Sequence, residues 1–583
     1  KGIKPPGMPK ESDWILSSRY QFDRALMRNP LIYQLSNETG EYAVRTRFVE
    51  VFNNTGGGAL SYADDYFGVY ELMEKIKRDD NRVPVAPIGP RDTRGTKVTG
   101  GYMFKKDRLD PGDTGFSVNH MNTFGWVEPK EDEVHYGQRD WLQGHLNELD
   151  AALYAANWTN PANGKHFTEY IDSHSWLRHH WLNTLSMNVD SFRLSAYYYK
   201  HRIDTNDGKI GAGPVWDFDR SMESMDDRDN SPTQWDGSGD SSHMWDDSRF
   251  PWWGRALTNP DFRQAHTDLW QELRKTTFST ANIESIIDDF AAQIDFQDPP
   301  GVNSRRARSP AARNFAKWTE VPPRNGSHAA EVTILKNWLE TRVAWIDSQY
   351  VAQPGFTVAP GLVSPGTTVG ATGGGTIYYT TDNTDPRLPG GGISSSATTT
   401  LPATVNATTI ITARARNGTG LTSWSGPVKG IFLVGPLADA SNLVITEIHY
   451  APLPPGTPDE LAAATDSSDF EFLEMMNISA TDTIDLTDVH FESGLDFSFT
   501  GSAITSLAPG QRVLIVGNQG AFEARYGTAF SSRIAGGFAP SRLDNAGERI
   551  HLVDALGGTI ADFKYNDKVT WPADAGFAGY SLI

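Results

Sequence analysis

Residues 186–221 read SMNVDSFRLSAYYYKHRIDTNDGKIGAGPVWDFDRS, and the fold of the amino-terminal region turns on them. A helix is expected to close near Asp190, and Ala196–His201 alternates as a strand. DTNDGK turns the chain, and a second strand delivers Asp217 and Asp219 at its end. A helix end, a hairpin and a carboxylate pair in that order bring three carboxylates toward one cleft. Phosphoryl transfer needs that supply: one carboxylate orients or accepts a hydroxyl proton, and others hold metal ions that bridge phosphates. A glycosidase also pairs carboxylates, and Asp-x-Asp after a strand also serves as a turn or a structural calcium site. The DTNDGK turn starts like a calcium loop, but Gly208 comes one residue too early for that loop's glycine, so a hairpin turn is the expectation.

Working outward, Val44–Phe52, Tyr66–Met73 and the stretch around Gly100–Phe104 read as strands bounded by Gly, Asn or Asp. Residues 140–156 place Trp141, Leu142, Leu146, Leu149 and Leu153 at helical spacing, and 168–187 repeats the pattern with Trp176, Leu177, Trp181, Leu182 and Leu185. A last helix over residues 330–350 carries Leu335, Trp338, Leu339, Val343 and Ile346 on one stripe. Residues 1–350 are therefore α+β. The histidines at 174, 179, 180 and 201 lack H-E-x-x-H spacing and are expected on a helix surface or in the core. There is no GxSxG elbow, Walker A loop or Rossmann GxGxxG where a strand meets a helix.

The composition then changes. Residues 351–440 carry seven charged side chains, with TIYYTT and TIITARA runs between Gly, Ser and Thr, the pattern of a small β-sandwich over 355–435. Residues 440–583 alternate again in LVITEIHY, FEFLEMMN, QRVLIVG and ERIHLVD, the pattern of a second β-sandwich. Formal charge is −9 over residues 1–350, +1 over 351–440 and −12 over 441–583, for a total of −20. So acidic a surface repels phosphate backbones, and nucleic acid is not an expected partner. No cysteine is present, which removes thiolate nucleophiles, disulfides and Cys-ligated zinc or iron–sulfur sites. No apolar run reaches the length of a membrane-spanning helix. The chain begins at Lys1 and stops at Ile583 without a closing cap, so an upstream leader and a downstream continuation are both expected. Residues 459–474 hold six acidic and no basic side chains, which suits a solvated loop or a structural Ca²⁺ site.

Four motifs carry a resemblance: YFGVYELMEKIKRD (66–79), GGYMFKKDR (100–108), NVDSFRLSAYYYKHR (188–202) and GPVWDFDRS (213–221). Together, over about residues 10–350, they resemble the CotH kinase family of atypical secreted protein kinases. The resemblance implies a divergent protein-kinase-like fold, ATP with Mg²⁺ or Mn²⁺ as cofactors, and phosphorylation of Ser or Thr on a protein acceptor outside the cytosol. Carried over by position, Lys105 resembles the lysine on the ATP phosphates and Glu74 its acidic neighbour. Asp190 resembles the catalytic aspartate, and Asp217, with Asp219 close by, the metal-binding aspartate. Five residues after Asp190, where many members have a metal-binding Asn, this chain has Ser195. TIYYTTDNTDPR (376–387) with ITARARNGTGLTSWSGPV resembles the C-terminal sandwich of chitobiase-type hexosaminidases. LVITEIHYAP (443–452), FEFLEMMNIS (470–479) and LDNAGERIHLVDALG (543–557) resemble the lamin-tail domain, an immunoglobulin-like sandwich of bacterial surface proteins. The expectation is a secreted or cell-surface bacterial protein, either an active kinase on β-sandwich modules or a surface scaffold with a silent kinase-like domain.

Overall fold

The computed structural model describes residues 3–583 except 110, 112, 206–207, 237–249, 297–308, 401–402, 569–570, 573 and 578. The chain divides into two units by internal contacts. The first comprises Lys1–Ala352 with Pro389–Gly392 and Asn417–Gly426, and the second comprises Gln353–Leu388, Ile393–Arg416 and Pro427–Ile583.

The first unit opens with strand β1 (Trp14–Ser17), helix α1 (Arg28–Glu38) and strands β2 (Thr46–Phe52) and β3 (Tyr66–Glu74). These strands form an antiparallel sheet in the order β1-β3-β2. A second antiparallel sheet holds β4 (Tyr102–Lys106), β5 (Gly115–Val118), β6 (Asn122–Glu128), β7 (Ala196–Lys200) and β8 (Ile210–Val215) in the order β5-β6-β4-β7-β8. The hairpin expected from DTNDGK is therefore β7–β8, with Asn206 and Asp207 outside the described residues.

Helices α2 (Tyr136–Tyr154) and α3 (Ser173–Ser186) carry the expected apolar stripes, with Leu142, Leu146, Leu149, Leu153, Trp176 and Trp181 fully buried. Their starts differ from the sequence expectation because capping, not periodicity, sets them. The His135 ring accepts from the Gly137 N–H at 3.1 Å while Gln138 accepts from the His135 N–H, which moves the start of α2 to Tyr136. Asp172 accepts from the His174 N–H at 3.0 Å and starts α3 at Ser173. Helices α4 (Pro251–Leu257), α5 (Pro260–Leu273), α6 (Thr280–Ile294), α7 (Pro310–Lys317) and α8 (His328–Ser348) complete the unit, and one apolar cluster runs through it from Tyr20 to Tyr350. Burying bare imidazoles is costly, so His179 and His180 are held well below the ordinary histidine range by desolvation. They lie in the core against Trp253 and Phe192.

In the second unit Gly361–Leu362, Val428–Leu433, Thr409–Arg416 and Thr376–Thr380 make one sheet around Val369, Ile411, Ala413 and Phe432. Farther on, a sheet of Leu443–His449, Phe472–Asn477, Arg512–Val516 and Ile534–Gly537 shares one apolar cluster with a sheet of His490–Ser493, Arg549–Val553 and Thr559–Lys564. Alternation decides which side chains enter it: Leu473 and Met475 on one strand, Val513 and Ile515 on its neighbour. The protein is thus multidomain, with an α/β amino-terminal region and a β-rich carboxy-terminal region. In the acidic stretch 459–474, Glu460, Asp466 and Glu474 pair with Arg525, Arg542 and Arg512. Among the described residues no helix is long and apolar enough to cross a membrane.

Candidate active site

The site is built where β8 runs out. The chain leaves the strand at Val215 with Trp216 and Phe218 both turned toward α1. Trp216 stacks on Tyr33 at 6.1 Å and Phe218 meets the same ring edge-on at 6.1 Å, so Tyr33 is gripped from two sides. The main chain is tied to the same helix. The Asp217 N–H donates to the Tyr33 hydroxyl at 3.2 Å, and the Phe218 N–H donates to Asn29 Oδ1 at 2.6 Å. Asn29 and Tyr33 are four residues apart and share one face of α1, which is why a single helix can hold two successive amides. Asp217 sits in the left-handed region, at φ 67°, a conformation a non-glycine residue keeps only when its surroundings enforce it.

The two carboxylates converge on a cation that the sequence reading did not name. Arg19 lies 3.5 Å from Asp217 Oδ1 and 3.7 Å from Asp219 Oδ2. Asp219 is nearly buried, and desolvation, followed by the charge of Asp217, pushes it up to about 7. Glu71 is buried on β3, accepts from Asn29 Nδ2 at 3.2 Å, and is held well above the carboxylate range by desolvation.

Asp190 follows α3, as the sequence predicts. Its carboxylate pairs with Arg193 at 2.7 Å and lies 3.9 Å from Arg228, which also pairs with Asp226. The Asn188 carboxamide joins the two halves of the site: it donates to the Asp217 carbonyl at 3.0 Å and accepts from the Asp190 N–H at 3.2 Å. Ser195, also left-handed at φ 53°, donates from its hydroxyl to Asp217 Oδ2 at 3.4 Å. Asp190, Ser195 and Asp217 thus belong to one network, with Asn188 as its bridge.

Lys105 and Glu74 occupy other surroundings. Lys105 stands opposite Tyr197 on β7 and Gly125 on β6, two strands from β8. It lines a cavity of about 290 Å³ with Trp126, Lys130 and Glu131. Glu74 is fully buried on β3 and is taken by Arg45 at 2.8 Å, by Arg82 at 3.1 Å and by the Tyr42 hydroxyl at 3.1 Å. The cation at the Asp217–Asp219 pair is Arg19. Arg19, Asn29 and Tyr33 precede every quoted motif; their only sequence signal is the i, i+4 pair on α1.

Among the described residues no three His, Asp or Glu side chains are placed to enclose a metal ion. The donor set nevertheless fits the way Mg²⁺ is held with a nucleotide, by one or two carboxylates with phosphate oxygens and water. Asp217 Oδ1 is buried, accepts no hydrogen bond among the described residues and lies beside the Arg19 guanidinium, so it has lone pairs to offer a hard cation. Asp219 Oδ2 lies beside the same guanidinium.

No curated protein matches the chain. Two families do. The sequence model described as Lamin Tail Domain matches residues 436–567, and that described as CotH kinase protein matches residues 2–346. With more than half of its residues inside the second match, and Asp190, Asp217 and Asp219 gathered there, the chain belongs to the CotH kinase protein family.

Proposed function

We propose that the protein is an ATP-dependent Ser/Thr kinase of CotH type, acting outside the cytosol on a protein acceptor and carried on immunoglobulin-like and chitobiase-type β-sandwich modules at a bacterial surface. The observation that carries this reading is the Asn188 bridge, which holds the Asp190 and Asp217 backbones together while, among the described residues, neither carboxylate accepts from a backbone amide. In this reading Asp217 and Asp219 hold Mg²⁺ or Mn²⁺, which supplies charge neutralisation at the phosphates of ATP. Arg19 compensates phosphate charge as a planar, always-protonated donor. Asp190 orients the acceptor hydroxyl and takes its proton. Ser195 offers Asp217 a hydrogen bond where a carboxamide would offer a metal an oxygen, so one ion rather than two suits this site.

The kinase reading is tested by incubating the full chain with labelled ATP, Mg²⁺ or Mn²⁺ and a Ser/Thr-rich acceptor. Asp190→Ala is expected to lower turnover by about 10²–10⁴ and to leave nucleotide affinity intact, because a base acts on the chemical step. Asp217→Ala is expected to abolish metal-dependent nucleotide binding. Equal and mild effects of both substitutions would defeat the assignment.

A second reading, a surface scaffold whose kinase-like domain does not turn over, is favoured by one specific observation. Every carboxylate of the set already has an internal cation, Arg193 for Asp190 and Arg19 for Asp217 and Asp219. Nucleotide binding without phosphotransfer is its expected outcome in the same assay.

A further inference from the structure

A cavity of about 330 Å³ is lined in part by β8, and Arg19 is not among its lining residues. Its walls are the loop that ends α1 (Gly40, Glu41, Tyr42), the α3 side chain of His179, Tyr199 and His201 at the end of β7, and the backbone of Gly213–Val215. Its volume is that of a small-molecule site. Two observations point to a ligand. His179 is 3% exposed, and neither ring nitrogen has a hydrogen-bond partner among the described residues. A buried, unsatisfied imidazole is costly, and the cost is relieved by a guest that donates to it. Glu41, also on the lining, is in no ion pair among the described residues.

The charge of the lining selects the guest. Arg82 is the one guanidinium among the described lining residues; its charge is paired with Glu74, Asp79 and Glu11 at 3.1–3.3 Å, although its Nε and one terminal nitrogen make no hydrogen bond among the described residues. Asp172 lies near enough to raise Glu41, and Arg178 near enough only to temper it. Burial is the larger cause, and together these push Glu41 up to about 7. His179 is neutral, held down to about 3 by desolvation, and so offers a lone pair. An ionisable carboxyl, a neutral imidazole acceptor and tyrosine rings without a free cation are the chemistry that recognises an ammonium or guanidinium group.

We propose that this cavity is a second ligand site, separate from the Asp190–Asp217 network, that takes a small organic cation through Glu41 and His179. Titration calorimetry of the full chain tests it, with agmatine as the probe and butane-1,4-diol as an uncharged control of similar reach. The expected result is saturable binding of agmatine at a single site, none of the diol, and a weakening of about tenfold or more in Glu41→Gln, equivalent to about 1.4 kcal/mol. Val83→Phe, which adds bulk at another lining residue, is expected to abolish the same signal without changing Glu41. Agmatine binding that survives both variants, equal binding of the diol, or no saturable heat at millimolar agmatine would each overturn the proposal. None of these readouts requires ATP or turnover, so the outcome is independent of the kinase reading.

Discussion

Asn188 and Asp217 are joined through the side chain of one and the main chain of the other: the Asn188 amide donates to the Asp217 carbonyl across 3.0 Å, and Asn188 is 6% exposed. Because the same carboxamide accepts from the Asp190 N–H, one side chain ties the segment after α3 to the segment after β8.

Asn188→Leu keeps the branched shape but removes the two bridging bonds, together with the longer one to Asn183 Oδ1, and leaves the Asp217 carbonyl without its Asn188 donor. The expected cost is about 1–3 kcal/mol in urea denaturation. If the domain is an active kinase, turnover should fall further than nucleotide affinity, since the substitution misplaces Asp190 relative to the metal side without removing a ligand. A melt unchanged from wild type would show that the bridge carries no strain or support.

Arg19→Gln takes the internal cation away from Asp217 and Asp219 without changing either carboxylate. Mn²⁺ alone, followed by its electron-spin signal, should then bind several-fold more tightly, because the ion no longer competes with a guanidinium for the same oxygens. Metal binding that weakens in this variant would place the ion elsewhere.

Asp219 sets a pH dependence whose direction follows from its environment. Its folded value is raised, from 3.8 to about 7, by desolvation first and by Asp217 second. Between those values the unfolded chain has released a proton that the folded chain keeps, so this group's contribution to stability falls as pH rises through the window. Asp219→Asn removes that decline. The stability of the variant relative to wild type should grow between about pH 5 and about pH 8 in urea denaturation, because the wild type alone loses ground there. A difference that stays flat or shrinks would mean that Asp219 is ionised throughout.

Residues 436–583 own an apolar cluster that runs from Ala438 to Leu582. Expressed alone, they are expected to fold as a β-rich domain with a cooperative melt, because each domain-sized core is self-sufficient. Circular dichroism without strand signal, or a melt without cooperativity, would show that this cluster needs the rest of the chain.

Local pattern alone determined a good part of this protein. Period-two and period-3.6 spacing placed β3, the β7–β8 hairpin, α2, α3 and α8, and the loss of charge after residue 350 marked where the helical region gives way to β-rich chain. The position of Asp217 and Asp219 at a strand end was legible for the same reason, since a strand and its turn are set by neighbours in sequence. What surrounds those carboxylates was not. Arg19 reaches them from about two hundred residues upstream, and Asn29 and Tyr33 clamp the segment from α1. Lys105 reads as a cation on a strand, yet which sheet that strand joins is decided by pairing with β6 and β7. Glu71 and Glu74 are three residues apart on β3, so alternation puts them on opposite faces, but it does not say what each one meets. Burial raises Glu71 well above the ordinary carboxylate range, while Arg45 and Arg82 pair with Glu74. Periodicity reports which face a side chain takes, but the charge that meets it there comes from chain segments that only tertiary folding brings together.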